Sequence, residues 1–196
     1  MNNYIEVLPN LFLGNLLSLE DKLFISSLSE IINISNKSIP SYIEDLDLKS
    51  TSLNILDESD QDISQYFDLT YQIISKNLQE NKKILVYCQM GRSRSVTIIL
   101  NYIMTQGNIS YEMAFIRLLY VKSEIGPNKG FIKQLKDYRQ KKIGKNYSSQ
   151  LFLDHQDLHE LKFNLQQKLS GKKSVEEWER LRKDREIERY LNSLNI

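Results

Sequence analysis

The chain contains a single cysteine, Cys88, and an arginine, Arg94, follows it six positions later. A glycine, Gly91, lies between them. A thiolate is a strong nucleophile, and a guanidinium group binds two phosphate oxygens at once with its planar fork of N–H donors. This combination of residues at this spacing favours attack of a thiolate on a bound phosphate group.

The elements predicted on both sides of this segment fit the same chemistry. The apolar run 83–87 predicts a strand that leads into the loop, and residues 95–106 predict a helix that leads out. A helix N-terminus binds anions with its unpaired backbone N–H groups and favours the thiolate form of a nearby cysteine. Gly91 permits backbone conformations in which loop amides surround an anion. Ser95 is placed to donate a hydrogen bond to the sulfur as a leaving thiolate.

A lone cysteine is more often a small buried hydrophobic residue than a nucleophile. The order of strand, cysteine, glycine, arginine and helix favours the chemical interpretation over that ordinary one. Breaking a phosphate ester also requires an acid, because the leaving oxygen needs a proton. The segment 52–56 predicts a short strand, which Asp57, Asp60 and Asp62 follow. Composition alone does not choose among these aspartates, but Asp60 and Asp62 fit ordinary roles at the start of a helix.

Several separated segments within residues 4–140 resemble the dual-specificity branch of the cysteine-dependent protein tyrosine phosphatases, in its small atypical form. The family motif HCxxGxxRS resembles residues 87–95. Residues 5–14 resemble the opening hairpin of the family, 31–35 its second core strand, and 124–131 the turn into its last helix. The resemblance implies a protein phosphatase that acts on phosphotyrosine and phosphoserine or phosphothreonine through a phosphocysteine intermediate.

The resemblance also implies roles for individual residues. Cys88 would be the nucleophile, Arg94 the phosphate clamp, and Ser95 the partner of the sulfur. Asp57 would be the general acid and base, since it lies ten positions before Phe67 of a Tyr-Phe pair, as in the family. The residues expected to bind the phosphate are Gln89, Met90, Gly91, Arg92, Ser93 and Arg94. The family uses no metal and no other cofactor, and we expect none here.

One position departs from the family pattern, because Tyr87 stands where the family has a histidine before the cysteine. That histidine helps to hold the cysteine as a thiolate in the family. We expect catalysis to survive with a thiol that ionises less readily. The alternative is a pseudophosphatase-like module that binds phosphoproteins and turns over weakly.

The order of the predicted elements indicates an α/β fold with a central mixed, mostly parallel sheet flanked by helices. We predict a catalytic domain over 1–144 and a helical C-terminal extension over 145–196, which either packs on the domain or binds a partner. The predicted strands are 5–7, 11–13, 31–35, 52–56 and 83–87. The predicted helices of the domain lie near 18–29, 63–79, 95–106, 110–121 and 129–140.

Composition narrows the classes of partner and location. The net charge of +1 over 196 residues gives no strong field toward nucleic acid or a membrane surface. A single cysteine excludes an internal disulfide and fits a reducing compartment. We therefore expect a cytoplasmic protein, with the nucleus as a second location. The resemblance implies a phosphoprotein as substrate and a protein kinase as a candidate partner.

Overall fold

The computed structural model describes residues 3–122 and 124–143 of the chain. These residues form a five-stranded sheet in the order β1-β2-β5-β3-β4. β1 is antiparallel to β2, and the other neighbouring pairs are parallel, which confirms the predicted mixed, mostly parallel sheet. The strands are β1 Tyr4–Leu8, β2 Leu11–Gly14, β3 Glu30–Asn33, β4 Lys49–Ser52 and β5 Ile84–Tyr87.

Helices accompany this sheet along the described part of the chain. They are α1 Lys22–Ser26, α2 Ser41–Glu44, α3 Phe67–Gln79, α4 Arg94–Gly107, α5 Tyr111–Val121 and α6 Lys129–Ile143. Two short 3-10 helices, Leu16–Glu20 and Ser64–Tyr66, precede α1 and α3. The predicted C-terminal extension, 145–196, lies outside the described residues.

The strand β5 forms the centre of the domain. All four of its residues are fully buried, and it pairs with β2 on one side and β3 on the other. The helix α4 follows the next loop, is buried from Arg94 to Met104, and contacts α3, α5 and α6. Because β2, β5 and β3 run in the same direction, their carboxyl ends meet at one edge of the sheet, where α/β proteins commonly bind ligands. The segment that begins at Cys88 lies at this edge.

The predicted strand at 52–56 is wrong. The strand β4 ends at Ser52, and it is an edge strand whose polar side chains are mostly exposed. Two apolar residues, Leu53 and Ile55, produced the alternating pattern behind the prediction, and both are buried. They lie in the segment that follows the strand. Both side chains are therefore buried in the core although they belong to no strand.

The single helix predicted near 18–29 is also wrong. The chain forms a 3-10 helix, breaks at Asp21, and then begins α1. The Asp21 carboxylate accepts a hydrogen bond from the Phe24 N–H at 3.0 Å, which caps the new helix. The short helix α2 was not predicted. Within the described residues, every helix is too short or too polar to cross a lipid bilayer.

Candidate active site

The loop between β5 and α4 begins at Cys88, whose side chain is buried. Gly91 at its tip has a φ of +66°, a conformation that side-chain-bearing residues rarely adopt. A Cβ atom on Gly91 would also lie 2.7 Å from the Gly14 carbonyl oxygen at the end of β2. Both observations explain the glycine: the turn needs its backbone freedom, and the neighbouring strand leaves no room for a side chain.

Two carbonyl groups of this loop accept hydrogen bonds from backbone N–H groups outside the loop. The Gln89 carbonyl accepts a hydrogen bond from the Leu16 N–H at 3.2 Å, and the Arg92 carbonyl accepts one from the Gly126 N–H at 2.8 Å. An anion site made of backbone amides requires its carbonyls to be engaged elsewhere. These two contacts therefore fit a loop that binds an anion.

The Arg94 side chain is buried, with 6 % of the residue exposed. Its Nη1 donates to the Ile55 carbonyl oxygen at 3.1 Å. Its Nε is buried without a hydrogen-bond partner. A buried unpaired donor costs free energy, and a phosphate oxygen in the loop would satisfy it. The arginine thus has the anchored and partly unpaired arrangement that a phosphate clamp requires.

The sulfur of Cys88 has a polar partner at the start of α4. The Ser95 hydroxyl, fully buried, donates to the Cys88 Sγ at 3.1 Å. A hydroxyl at this distance stabilises negative charge on sulfur. The geometry therefore agrees with the role that the resemblance implies for Ser95.

The carboxylate of Asp57 reaches the same loop. Its Oδ1 accepts hydrogen bonds from the Ser93 hydroxyl at 2.6 Å and from the Asn128 side-chain amide at 3.0 Å. Its Oδ2 lies 3.8 Å from the Arg94 Nε, and 37 % of the side chain stays open to solvent. An aspartate so placed can exchange a proton with a group bound in the loop and with water.

The two other aspartates of the acidic cluster lie elsewhere. Asp62 accepts hydrogen bonds from the Ser64 N–H at 3.0 Å and the Ser64 hydroxyl at 2.6 Å, which is a turn-forming role at the start of a helix. Asp60 is exposed. The structure thus brings Asp57, and neither Asp60 nor Asp62, to the loop of Cys88.

The side chain of Tyr87 makes different contacts from those expected of a substitute for histidine. It is fully buried, and its hydroxyl has no hydrogen-bond partner in the part of the chain that the structure describes. Burial, with a smaller contribution from Tyr42, raises the pKa of Tyr87 well above its ordinary value. The residue packs in a hydrophobic cluster beside the sheet together with Leu19, Ile25, Leu28, Ile31, Ile43 and Leu85.

The remaining loop side chains are exposed, and one residue that the sequence did not predict, Asn128, joins the site. Gln89, Met90 and Arg92 are exposed, Met90 to 64 %. Asn128 contacts Asp57 from the start of α6 and also accepts a hydrogen bond from the Phe131 N–H at 3.0 Å. An asparagine before a helical run signals such a cap. No local pattern signals its contact with an aspartate distant in sequence.

Comparison with known proteins assigns the chain to a family. A family model described as "Dual specificity phosphatase, catalytic domain" matches residues 11–141. The chain belongs to this family.

Individual relatives agree with the assignment. The chain is 30% identical over 135 residues to dual specificity protein phosphatase 1B of Arabidopsis thaliana, covering 68% of this chain and 80% of the relative. It is 28% identical over 187 residues to dual specificity protein phosphatase 22-A of Danio rerio, covering 90% and 88%. The crystal structure of the human tyrosine phosphatase-like serine/threonine/tyrosine-interacting protein superposes with a TM-score of 0.67 at 29% identity, covering 72% of this chain and 98% of that one.

These findings define the class of enzyme. The chain is a protein phosphatase of the dual-specificity class, a phosphoric monoester hydrolase whose substrates are phosphoproteins. The fold expected from the sequence, a mixed sheet flanked by helices, is the fold of its structural relatives.

Proposed function

We propose that the chain hydrolyses phosphotyrosine and phosphoserine or phosphothreonine through a phosphocysteine intermediate on Cys88. The observation that carries the proposal is the position of Asp57. Its Oδ1 accepts a hydrogen bond from Ser93 of the cysteine loop, and its Oδ2 lies 3.8 Å from Arg94. An acid, a cationic clamp and a nucleophile therefore converge on one place.

In the first step the Cys88 thiolate attacks phosphorus while the bond from phosphorus to the substrate oxygen breaks. Asp57, protonated, gives its proton to that oxygen, so the alcohol or phenol leaves neutral. Arg94 stabilises the charge on the transferring phosphoryl group with the Nε donor that has no hydrogen-bond partner among the described residues. Backbone amides of Gln89, Met90, Gly91, Arg92 and Ser93 complete the anion site.

In the second step water attacks the phosphocysteine. Asp57, now ionised, accepts the proton of the water, and the bond from phosphorus to sulfur breaks. The sulfur leaves as a thiolate, which the Ser95 hydroxyl stabilises from 3.1 Å. Inorganic phosphate departs, and the enzyme returns to its starting protonation state without a metal or another cofactor.

Hydrolysis of a small aryl phosphate tests these roles. Cys88→Ser is expected to abolish turnover, and Asp57→Ala is expected to slow it by roughly a hundredfold or more. Asp60→Ala is the matched control, because Asp60 is an exposed aspartate of the same segment. Turnover that survives Cys88→Ser would contradict the proposal.

A second candidate is a phosphoprotein-binding module with weak turnover. Tyr87 favours it, because the tyrosine hydroxyl has no hydrogen-bond partner and supports no residue of the loop. One structural relative is itself named as an interacting protein. Phosphopeptide binding without turnover at any pH would select this candidate.

A pH profile separates the two candidates. If the enzyme works with a thiol that ionises less readily, the acidic limb of its kcat/KM profile lies at higher pH, and Tyr87→His moves that limb to lower pH. Cytoplasmic or nuclear location, a protein kinase as partner, and partner binding by residues 145–196 stay predictions from the sequence.

A further inference from the structure

The segment that carries Asp57 lies directly against the first turns of α6. We call residues 57–64 the acid segment. A Cβ atom on Gly130, in the first turn of α6, would overlap the carbonyl group of Ser59. The glycine therefore permits an approach of helix and segment that any other residue would prevent.

One side chain of α6 binds the acid segment through its backbone. The Oε1 of Gln134 accepts hydrogen bonds from the Ile63 N–H at 2.9 Å and the Ser64 N–H at 3.1 Å. The Nε2 of Gln134 donates to the Gln61 carbonyl oxygen at 2.7 Å. Both the oxygen and the nitrogen of the side-chain amide thus bind the backbone of one segment, at residues 61, 63 and 64, which fixes the position of that segment.

The same helix also reaches the carboxylate itself. Asn128 caps α6 and donates to the Asp57 Oδ1. Asp57 is therefore held at the start of the segment by Asn128, and the end of the segment is held by Gln134, about 1.7 turns further along the same helix. Motion of the segment away from the loop would break contacts at both ends.

We infer that Gln134 is a positioning residue for the reaction. It holds the acid segment on α6, so that Asp57 is already at the loop when a phosphoprotein binds. Gln134 touches neither the phosphate nor the reacting atoms in this role. The inference rests on the proposed function of Asp57 as general acid.

This role predicts an effect that depends on the leaving group. A displacement of about 1 Å in a reacting group can cost roughly a hundredfold in rate. An alcohol or phenol of high pKa needs the proton from Asp57, whereas a phenol of low pKa leaves as an anion without it. Loss of positioning therefore slows the first step only for the first kind of substrate, while a general loss of folding slows it equally for both. The value of kcat/KM reports this first step, so the later role of Asp57 in the second step does not affect it.

The experiment compares two aryl phosphates, phenyl phosphate and a fluorinated aryl phosphate of low leaving-group pKa. Gln134→Met keeps the length of the side chain and removes its three hydrogen bonds. It is expected to lower kcat/KM on phenyl phosphate by roughly tenfold and to change kcat/KM on the fluorinated substrate by less than about twofold. Gln140→Met is the matched control, because Gln140 is an exposed residue of the same helix, and it should change neither value.

Asp57→Ala, measured beside them, separates the inference from its premise. If Asp57→Ala shows the dependence on the leaving group and Gln134→Met does not, the inference is overturned while the proposed function stands. If Asp57→Ala affects both substrates equally or neither, the role of Asp57 as acid fails first.

Amide hydrogen exchange of the wild-type enzyme gives a second test that needs no folded variant. The Ile63 N–H, bound to Gln134, is expected to exchange at least about tenfold more slowly than an unprotected amide. Exchange at the unprotected rate would show that the contact does not hold the segment, and it would overturn the inference.

Discussion

The two ends of the cysteine loop meet surroundings of opposite chemistry. At the strand end, Tyr87 packs among aliphatic side chains, and its hydroxyl has no partner. We call this the apolar flank. At the helix end, Ser93 and Arg94 join Asp57 and Asn128 in a set of hydrogen bonds and a charge contact. We call this the polar flank.

Because of this difference, we expect the polar flank to determine turnover and the apolar flank to determine stability. The polar flank presents donors and a carboxylate whose positions decide a reaction, so changes there should alter turnover. The apolar flank holds β5 and the start of the loop by packing, so changes there should alter the free energy of unfolding. Three substitutions in the flanks test this division, and a fourth, far from both, is the reference; they follow from the largest expected effect to the smallest.

Arg94→Lys should have the largest effect on turnover. A lysine carries the charge but lacks the planar fork, so it cannot both bind the Ile55 carbonyl and grip the phosphate. We expect kcat/KM to fall by roughly a thousandfold, measured on a small aryl phosphate. Arg92→Lys is the matched control and should lose far less, since the Arg92 side chain is exposed. Equal losses would show that turnover depends on the positive charge and not on the planar guanidinium group of Arg94.

Ser93→Ala should lower turnover less, because Asn128 still holds Asp57. The change removes the 2.6 Å hydrogen bond to the carboxylate. We expect a loss of roughly tenfold in kcat on a substrate with a leaving group of high pKa. An unchanged kcat on that substrate would show that Asn128, at the start of α6, is sufficient to position Asp57.

Tyr87→Phe should change stability and leave turnover as it was. The hydroxyl is buried without a partner, so removing it relieves a desolvation cost and raises the free energy of unfolding by about 1 kcal/mol. Urea denaturation measures the change. A loss of turnover in this variant would break the comparison, because the apolar flank would then take part in the chemistry.

Asp68→Asn should have the smallest effect, far from both flanks. Hydrogen bonds from Lys142 and then Tyr138 lower the pKa of Asp68, so its stabilising contribution is present above the unfolded-state pKa and is lost as the pH falls through the folded-state pKa. Because 60% of the side chain is exposed, we expect a loss of a few tenths of a kcal/mol at pH 7. Urea denaturation at pH 7 and near pH 3 should show that the difference between the proteins shrinks at low pH. A difference that grows at low pH would have the wrong sign.

The sequence predicted the central part of the molecule better than its edges. The strand at 83–87 and the helix at 95–106 are mostly apolar, and the structure confirms both as β5 and α4. The strand at 52–56 failed because β4 is polar and exposed at the sheet edge, where pairing with β3 and not hydrophobicity defines it.

The same contrast holds within the site. Cys88 and Arg94 could be found because they share one short segment, and Asp57 through the spacing shared with a family. Gln134 could not be found, since a glutamine on a helix gives no sign that it binds the backbone of a segment distant in the chain. Contacts of this kind arise only from tertiary structure.

The close approach of Gly91 to the end of β2 has a consequence for how the enzyme matures. The loop packs against β2, a strand near the beginning of the chain. If cysteine, glycine and arginine alone were grafted between another strand and helix, the loop would lack this packing partner and would not keep its conformation. Contacts between residues far apart in sequence form late, because closing a long stretch of chain costs conformational entropy before the contact contributes stabilising free energy. The loop should therefore bind phosphate only after the last steps of folding, and partly folded copies of the enzyme should be inactive.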